Sequence, residues 1–145
     1  LQCTHFAETS GIGEVDGQLV GAIGAYLVPE REDTLFVWQV AVSEAARGQG
    51  VASRMLDHIL ARPACTGVRY LETTVTDSNQ ASWALFESFA RRFDAALQRS
   101  PLFESEQHFA GEHETEILAR IGPLPEFDKR SLATPTTEYA MEKSA

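Results

Sequence analysis

Residues 11–28 read GIGEVDGQLVGAIGAYLV, two apolar runs broken by Asp16-Gly17. A two-residue turn needs positive φ at its central positions, which Asp and Gly tolerate, so Gly11–Val15 and Gln18–Val28 are expected to form a hairpin. Pro29 to Asp33 is polar and reads as a connection, and Thr34–Val42 (TLFVWQVAV) has the apolar, β-branched composition of a buried central strand. The period then changes. Val51, Met55, Leu56, Ile59 and Leu60 recur on one helical face until Pro63 stops the pattern. Arg69–Thr76 (RYLETTVT) returns to strand composition. Asp77 or Ser78 can cap a second helix, Asn79 to about Phe93, with an apolar stripe at Ala81, Leu85, Phe86, Phe89 and Phe93. Beyond Ser100-Pro101 come a short extended piece at Leu102-Phe103, a polar loop through Gly111, and a last strand, His113 to Ile121, ended by Gly122-Pro123. This order predicts an α/β domain with a mixed sheet over residues 1–123, followed by a tail, 124–145.

The chain has 145 residues and is 43% hydrophobic, enough for one domain with its own core. Acidic residues outnumber basic ones 21 to 12, and no run of Lys and Arg offsets the net charge of −9. Nucleic acid and anionic membrane surfaces are therefore not expected partners. The longest apolar stretch, Leu19–Val28, is about half of the roughly 20 residues that cross a bilayer as a helix. Cys3 and Cys65 lie far apart without a C-x-x-C context, which predicts neither a disulfide framework nor a zinc site and suits a reducing cytoplasm. His108, Glu112, His113 and Glu114 match no defined metal spacing, so no metal is expected. No signal peptide is read after Leu1.

The chemistry concentrates in Ala41–Ala52 (AVSEAARGQGVA), where a buried strand runs into the first turn of a helix. Gly48 and Gly50 let the backbone bend so that several N–H groups point to one place, and the helix N-terminus adds partial positive charge. Arg47 brings a formal charge, and small Ala52 leaves room for a bulky ligand. A pyrophosphate suits this arrangement. A dinucleotide turn suits it less, because Ser53 stands where G-x-G-x-x-G needs its third glycine and a hairpin precedes the motif. The plain alternative is a helix start with convenient glycines.

Arg47, Gly50 and Ala52 resemble the loop of the Gcn5-related N-acetyltransferase (GNAT) superfamily: Arg or Gln, two residues, Gly, one residue, then Gly or Ala. The resemblance implies the GNAT fold, acetyl-CoA as cosubstrate and a splayed strand whose Val40 and Val42 offer backbone groups to the pantetheine arm. It implies that Arg47, Gly48, Gln49, Gly50, Val51 and Ala52 hold the pyrophosphate and that Asn79 bonds the arm. Phe86 matches the position where the superfamily often has a Tyr that protonates the departing thiolate, so water or unassisted departure is expected instead. Complete members begin with a strand and one or two helices that this chain is expected to lack.

A narrower resemblance lies in TLFVWQVAV, ARGQGVASRML, ARPACTGVRYLETTVTDSN, HETEILARIGP and CTHFAET, which cover most of residues 1–123. These strings are similar to the L-2,4-diaminobutyrate acetyltransferases of ectoine biosynthesis. That family implies acetyl transfer to the γ-amine of a small diamino acid, and a homodimer. Glu72 is the first candidate to bind or deprotonate the amine, the alternative being an ion pair with an Arg. Glu114 and His113 resemble a family feature near the substrate; the alternative is a solvated loop end. Trp38, if alternation places it with Val40, walls the acceptor pocket together with Gln39 and Thr74; otherwise it is core. Two other functions stay open: acetylation of a different small amine (polyamine, amino acid or aminoglycoside), and a non-catalytic acyl-CoA sensor.

Overall fold

The computed structural model describes residues 8–103, 115–126 and 140–143. The chain forms two compact units, residues 1–68 with 126–145, and residues 69–125.

In the first unit, β1 (Gly11–Val15) and β2 (Gln18–Val28) form the expected hairpin, with Asp16 at φ 51° and Gly17 at φ 77° in its turn. β2 pairs antiparallel with β3 (Arg31–Val42) on its other side. β3 starts three residues before the expected Thr34, because Pro29-Glu30 alone makes the turn, with Glu30 at φ 67°. Arg31, Glu32 and Asp33 are exposed, so this end of the strand carries no apolar signal to read.

Helix α1 (Val51–Leu60) covers the face of the hairpin that carries Gly11, Gly13 and Gly21. A Cβ on Gly21 would stand 2.8 Å from Met55 Cε and 3.1 Å from the Ala41 carbonyl oxygen, so the helix packs close to the strand there and a larger residue would have to displace the Met55 side chain. Ile23, Ala25, Leu35, Val37, Met55, Leu56, Ile59 and Leu60 form the buried core of this unit. Arg62 follows the helix and donates to the carbonyl oxygens of Glu8 and Ser10, while Thr9 Oγ1 donates to the Ala25 carbonyl oxygen at 2.6 Å. Within the segment read as a tail, a further strand, Ala140–Lys143, pairs antiparallel with β1.

In the second unit, β4 (Tyr70–Thr76) is followed by α2 (Gln80–Arg92), β5 (Ala96–Phe103) and β6 (Glu116–Gly122), with β6 antiparallel to both β4 and β5. The cap of α2 is neither Asp77 nor Ser78 but Asn79, whose Oδ1 accepts from the Ser82 N–H at 3.1 Å. β5 is a full strand where only Leu102-Phe103 was expected to be extended. Gln98, Arg99 and Ser100 are exposed, and Pro101 is tolerated where the pairing with β6 becomes irregular, so composition hides this strand. The Gly122 Cβ position would collide with the Tyr70 ring and the Arg69 carbonyl, which makes glycine obligatory at the end of β6. Beyond it, the Leu124 N–H donates to the Arg69 carbonyl and Arg69 Nε to the Leu124 carbonyl, both at 2.6 Å.

Candidate active site

The loop from β3 to α1 is shaped almost wholly by its backbone. The Ser43 N–H donates to the Val20 carbonyl at 2.7 Å, tying the end of β3 to β2. A single 3₁₀ turn, Glu44–Ala46, follows and buries Ala46. Gln49 Nε2 donates to the Ala45 carbonyl at 3.2 Å, and Arg47 Nε reaches the Val42 carbonyl at 3.4 Å, so both long side chains brace the loop. Gly48 and Gly50 sit at φ 78° and 76° with nothing within 4 Å of a would-be Cβ. They are needed for left-handed backbone rather than for room.

Gly50 is also the N-cap of α1, and no side chain among the described residues accepts at that cap. The first intrahelical bond runs from the Arg54 N–H to the Gly50 carbonyl at 3.1 Å, so the Val51, Ala52 and Ser53 amides have no partner within the helix. Three amides, the positive end of a helix dipole and the Arg47 charge converge on one exposed loop, which is the electrostatic complement of a pyrophosphate. Val51 itself is buried and Ala52 half-buried, so both serve through their backbone.

Trp38 does not share a face with Val40. Ala25 of β2 pairs with Val37 and Gly24 with Gln39, leaving Trp38 as the extra residue of a bulge. Val37, Val40 and Val42 consequently lie on the face of Ala25, Ile23 and Gly21, beneath α1, while Trp38 and Gln39 lie together on the opposite face. Trp38 is 47% exposed, which removes the core alternative. A bulge leaves no composition signal, and strict alternation gives the wrong partner.

In the second unit, Glu72 is 3% exposed and its Oε2 accepts from Arg120 Nη1 at 3.0 Å. The ion pair held as the alternative for Glu72 is therefore present. Arg120 lies directly opposite Glu72 in the β4–β6 register, and its guanidinium carbon sits 4.0 Å from the centre of the Tyr70 ring. Half-buried Thr74, two residues along β4, shares that face. Asn79 presents an amide whose oxygen is already used as the helix cap. Phe86, expected beside the cofactor, is 2% exposed and belongs to the core of α2 with Trp83 and Phe89. Glu114 and His113 lie outside the described residues. Among the described residues no group of three His, Cys, Asp or Glu is placed to hold a metal ion.

Arg120 is the residue that sequence reasoning missed. The alternation of 116–122 puts it on one face of a strand, but only the antiparallel register identifies Glu72 as its partner. The shifted titrations lie elsewhere: burial pushes the Cys65 thiol up to about 11 against the opposing effect of Arg62, and burial together with Arg62 lowers His58.

Strand, glycine loop and helix amides recur in a known class. The model of the Acetyltransferase (GNAT) family matches residues 2–90, more than half of the chain, and places it among the GNAT acetyltransferases. The L-2,4-diaminobutyric acid acetyltransferase of Methylotuvimicrobium alcaliphilum is 50% identical over 124 residues, 86% of this chain and 72% of the relative. That of Marinococcus halophilus is 43% identical over the same shares of both chains. The structure of diaminobutyrate acetyltransferase EctA from Paenibacillus lautus, in complex with its substrate L-2,4-diaminobutyric acid and coenzyme A, matches with a TM-score of 0.75 and 41% identity. It covers 83% of this chain, which spans 72% of that one. The chain belongs to the L-2,4-diaminobutyric acid acetyltransferase family. The ribosomal-protein-S18-alanine N-acetyltransferase of Escherichia coli, at 18% identity and a TM-score of 0.59, shares the fold.

Proposed function

We propose that this chain transfers the acetyl group of acetyl-CoA to the γ-amine of L-2,4-diaminobutyrate, giving the N4-acetyl compound used in ectoine biosynthesis. The observation that carries the reading is the Gly48–Gly50 cradle at the start of α1, in a chain 50% identical to an enzyme of that name. The γ-ammonium first loses a proton to solvent. The neutral amine then attacks the thioester carbonyl of acetyl-CoA, the C–N bond forms as the C–S bond breaks, and coenzyme A leaves and is released as the free thiol while the new amide gives up its surplus proton.

The pyrophosphate is held by the amides of residues 48–52 and by Arg47, which only has to release its weak contact to Val42. Val40 and Val42 offer backbone groups to the pantetheine arm, a backbone amide near Val40 meets the developing oxyanion, and the Asn79 side-chain N–H₂ is a further donor. Gln49 acts as a brace. Phe86 supplies no proton, so the thiolate takes one from water or departs unassisted. In the second unit Glu72, paired with Arg120, is the carboxylate assigned to the diamine in this reading, with Thr74 on the same face of β4; in the first unit Trp38 and Gln39 are the residues assigned to the acceptor. Glu114 and His113 complete the acceptor surroundings in this reading. In this reading, by resemblance to the family, the working form is a cytoplasmic homodimer; among the described residues no helix is long and apolar enough to cross a membrane.

The test is an acetylation assay with thiol detection on diaminobutyrate, ornithine, lysine and spermidine, with the product's acetylated nitrogen located by NMR. Fastest turnover on diaminobutyrate with γ-acetylation is expected. Tight acetyl-CoA binding without turnover on any acceptor would instead identify a sensor.

A further inference from the structure

We propose that Arg120 recognises the α-carboxylate of the acceptor and so sets the preference for a diamino acid over a plain diamine. The inference rests on the reading of Glu72 as the group that meets the acceptor's ammonium.

Diaminobutyrate carries two amines and one carboxylate, and the α-ammonium and carboxylate sit on the same carbon. A receptor for that head group needs an anion and a cation side by side. Glu72 and Arg120 are such a pair, adjacent across β4 and β6 with Oε2 and Nη1 3.0 Å apart. The two partners are unequally presented. The Glu72 side chain is 4% exposed and that of Arg120 30%, so the cation is the more accessible half. A guanidinium has five N–H donors in a planar fork, and one carboxylate engages at most two of them, so holding Glu72 leaves donors for a second carboxylate.

The Arg120 guanidinium carbon lies 4.0 Å from the Tyr70 ring centre, a contact that restrains the fork and lowers the ordering cost of a second carboxylate contact. With the α-ammonium at Glu72 and the carboxylate at Arg120, the γ-amine is the one nitrogen left to react. This assigns the site of acetylation to charge matching at the other end of the molecule, with Arg120 as its specificity-determining residue.

The competing role for Arg120 is to neutralise Glu72 and nothing more. An acceptor without a carboxylate separates the two, and 1,3-diaminopropane keeps both amines and their spacing. Steady-state kinetics with each acceptor, on the full chain and on Arg120→Gln and Arg120→Lys, provide the test. The unsubstituted enzyme is expected to favour diaminobutyrate by about 100-fold in kcat/KM, the scale of charge-assisted hydrogen bonds. In Arg120→Gln that preference should collapse, chiefly through a higher KM for diaminobutyrate, with a much smaller loss of kcat/KM on 1,3-diaminopropane and with KM for acetyl-CoA held within about twofold. Arg120→Lys keeps a cation beside Glu72, and should regain part of the preference even if Arg120→Gln fails to fold. Near-equal use of both acceptors by the unsubstituted enzyme, or parallel losses on both in the variants, overturns the assignment while leaving the acetyltransferase reading intact. No turnover of either acceptor by the unsubstituted enzyme overturns that reading, and this assignment with it.

Discussion

The β3–α1 loop and the β4–β6 ion pair solve opposite problems with opposite materials. The loop offers positive charge from backbone amides, left exposed and shaped by two left-handed glycines. The pair offers charge from side chains, with the carboxylate buried and the guanidinium pinned on an aromatic ring. Backbone recognition suits a ligand group that never varies, such as pyrophosphate, because it depends on φ and ψ alone. Side-chain recognition suits an acceptor, whose identity a single substitution can change.

The largest expected effect breaks the contrast from below. Phe86→Ala should cost about 3–5 kcal/mol of stability, as a large aromatic removed from a core does, and lower the melting temperature. A normal melt with a raised KM for acetyl-CoA would return Phe86 to the cofactor site. Next is Gly50→Val. With no neighbour within 4 Å its cost is purely conformational, about 1–2 kcal/mol, and coenzyme A affinity should fall by about tenfold or more as the loop amides turn away. Arg47→Ala should weaken coenzyme A binding by up to about tenfold, with the deficit shrinking at high salt because the residue is exposed.

The smallest effect belongs to neither region. Burial and Arg62 hold His58 below its ordinary value, so between its folded and unfolded pKa the unfolded chain binds more protons. Its stabilising contribution is complete above the unfolded value and declines as pH falls through it. His58→Gln should therefore slightly flatten the fall in stability as pH drops below the ordinary histidine value of about 6.5, a small effect because the residue is exposed, measured by urea midpoint.

The same contrast explains what the sequence made legible. Gly48 and Gly50 announce a tight, left-handed loop beside Arg47 at the start of a helix, and the hairpin announces itself through Asp16-Gly17. The Glu72–Arg120 pair depends on which residues of two strands 48 positions apart fall opposite each other, a register that local pattern does not encode. The Trp38 bulge fails for the same reason, since one unpaired residue inverts the face of everything after it. β5 was missed because its exposed polar residues and Pro101 read as loop, although pairing with β6 makes them a strand.

The division of labour is tested most directly by titrating coenzyme A into the unsubstituted protein, Gly50→Val and Glu72→Gln by calorimetry. Affinity should fall about tenfold or more in Gly50→Val and stay within about twofold in Glu72→Gln. Equal losses in both, or a loss confined to Glu72→Gln, would contradict the assignment of the anion to the glycine loop.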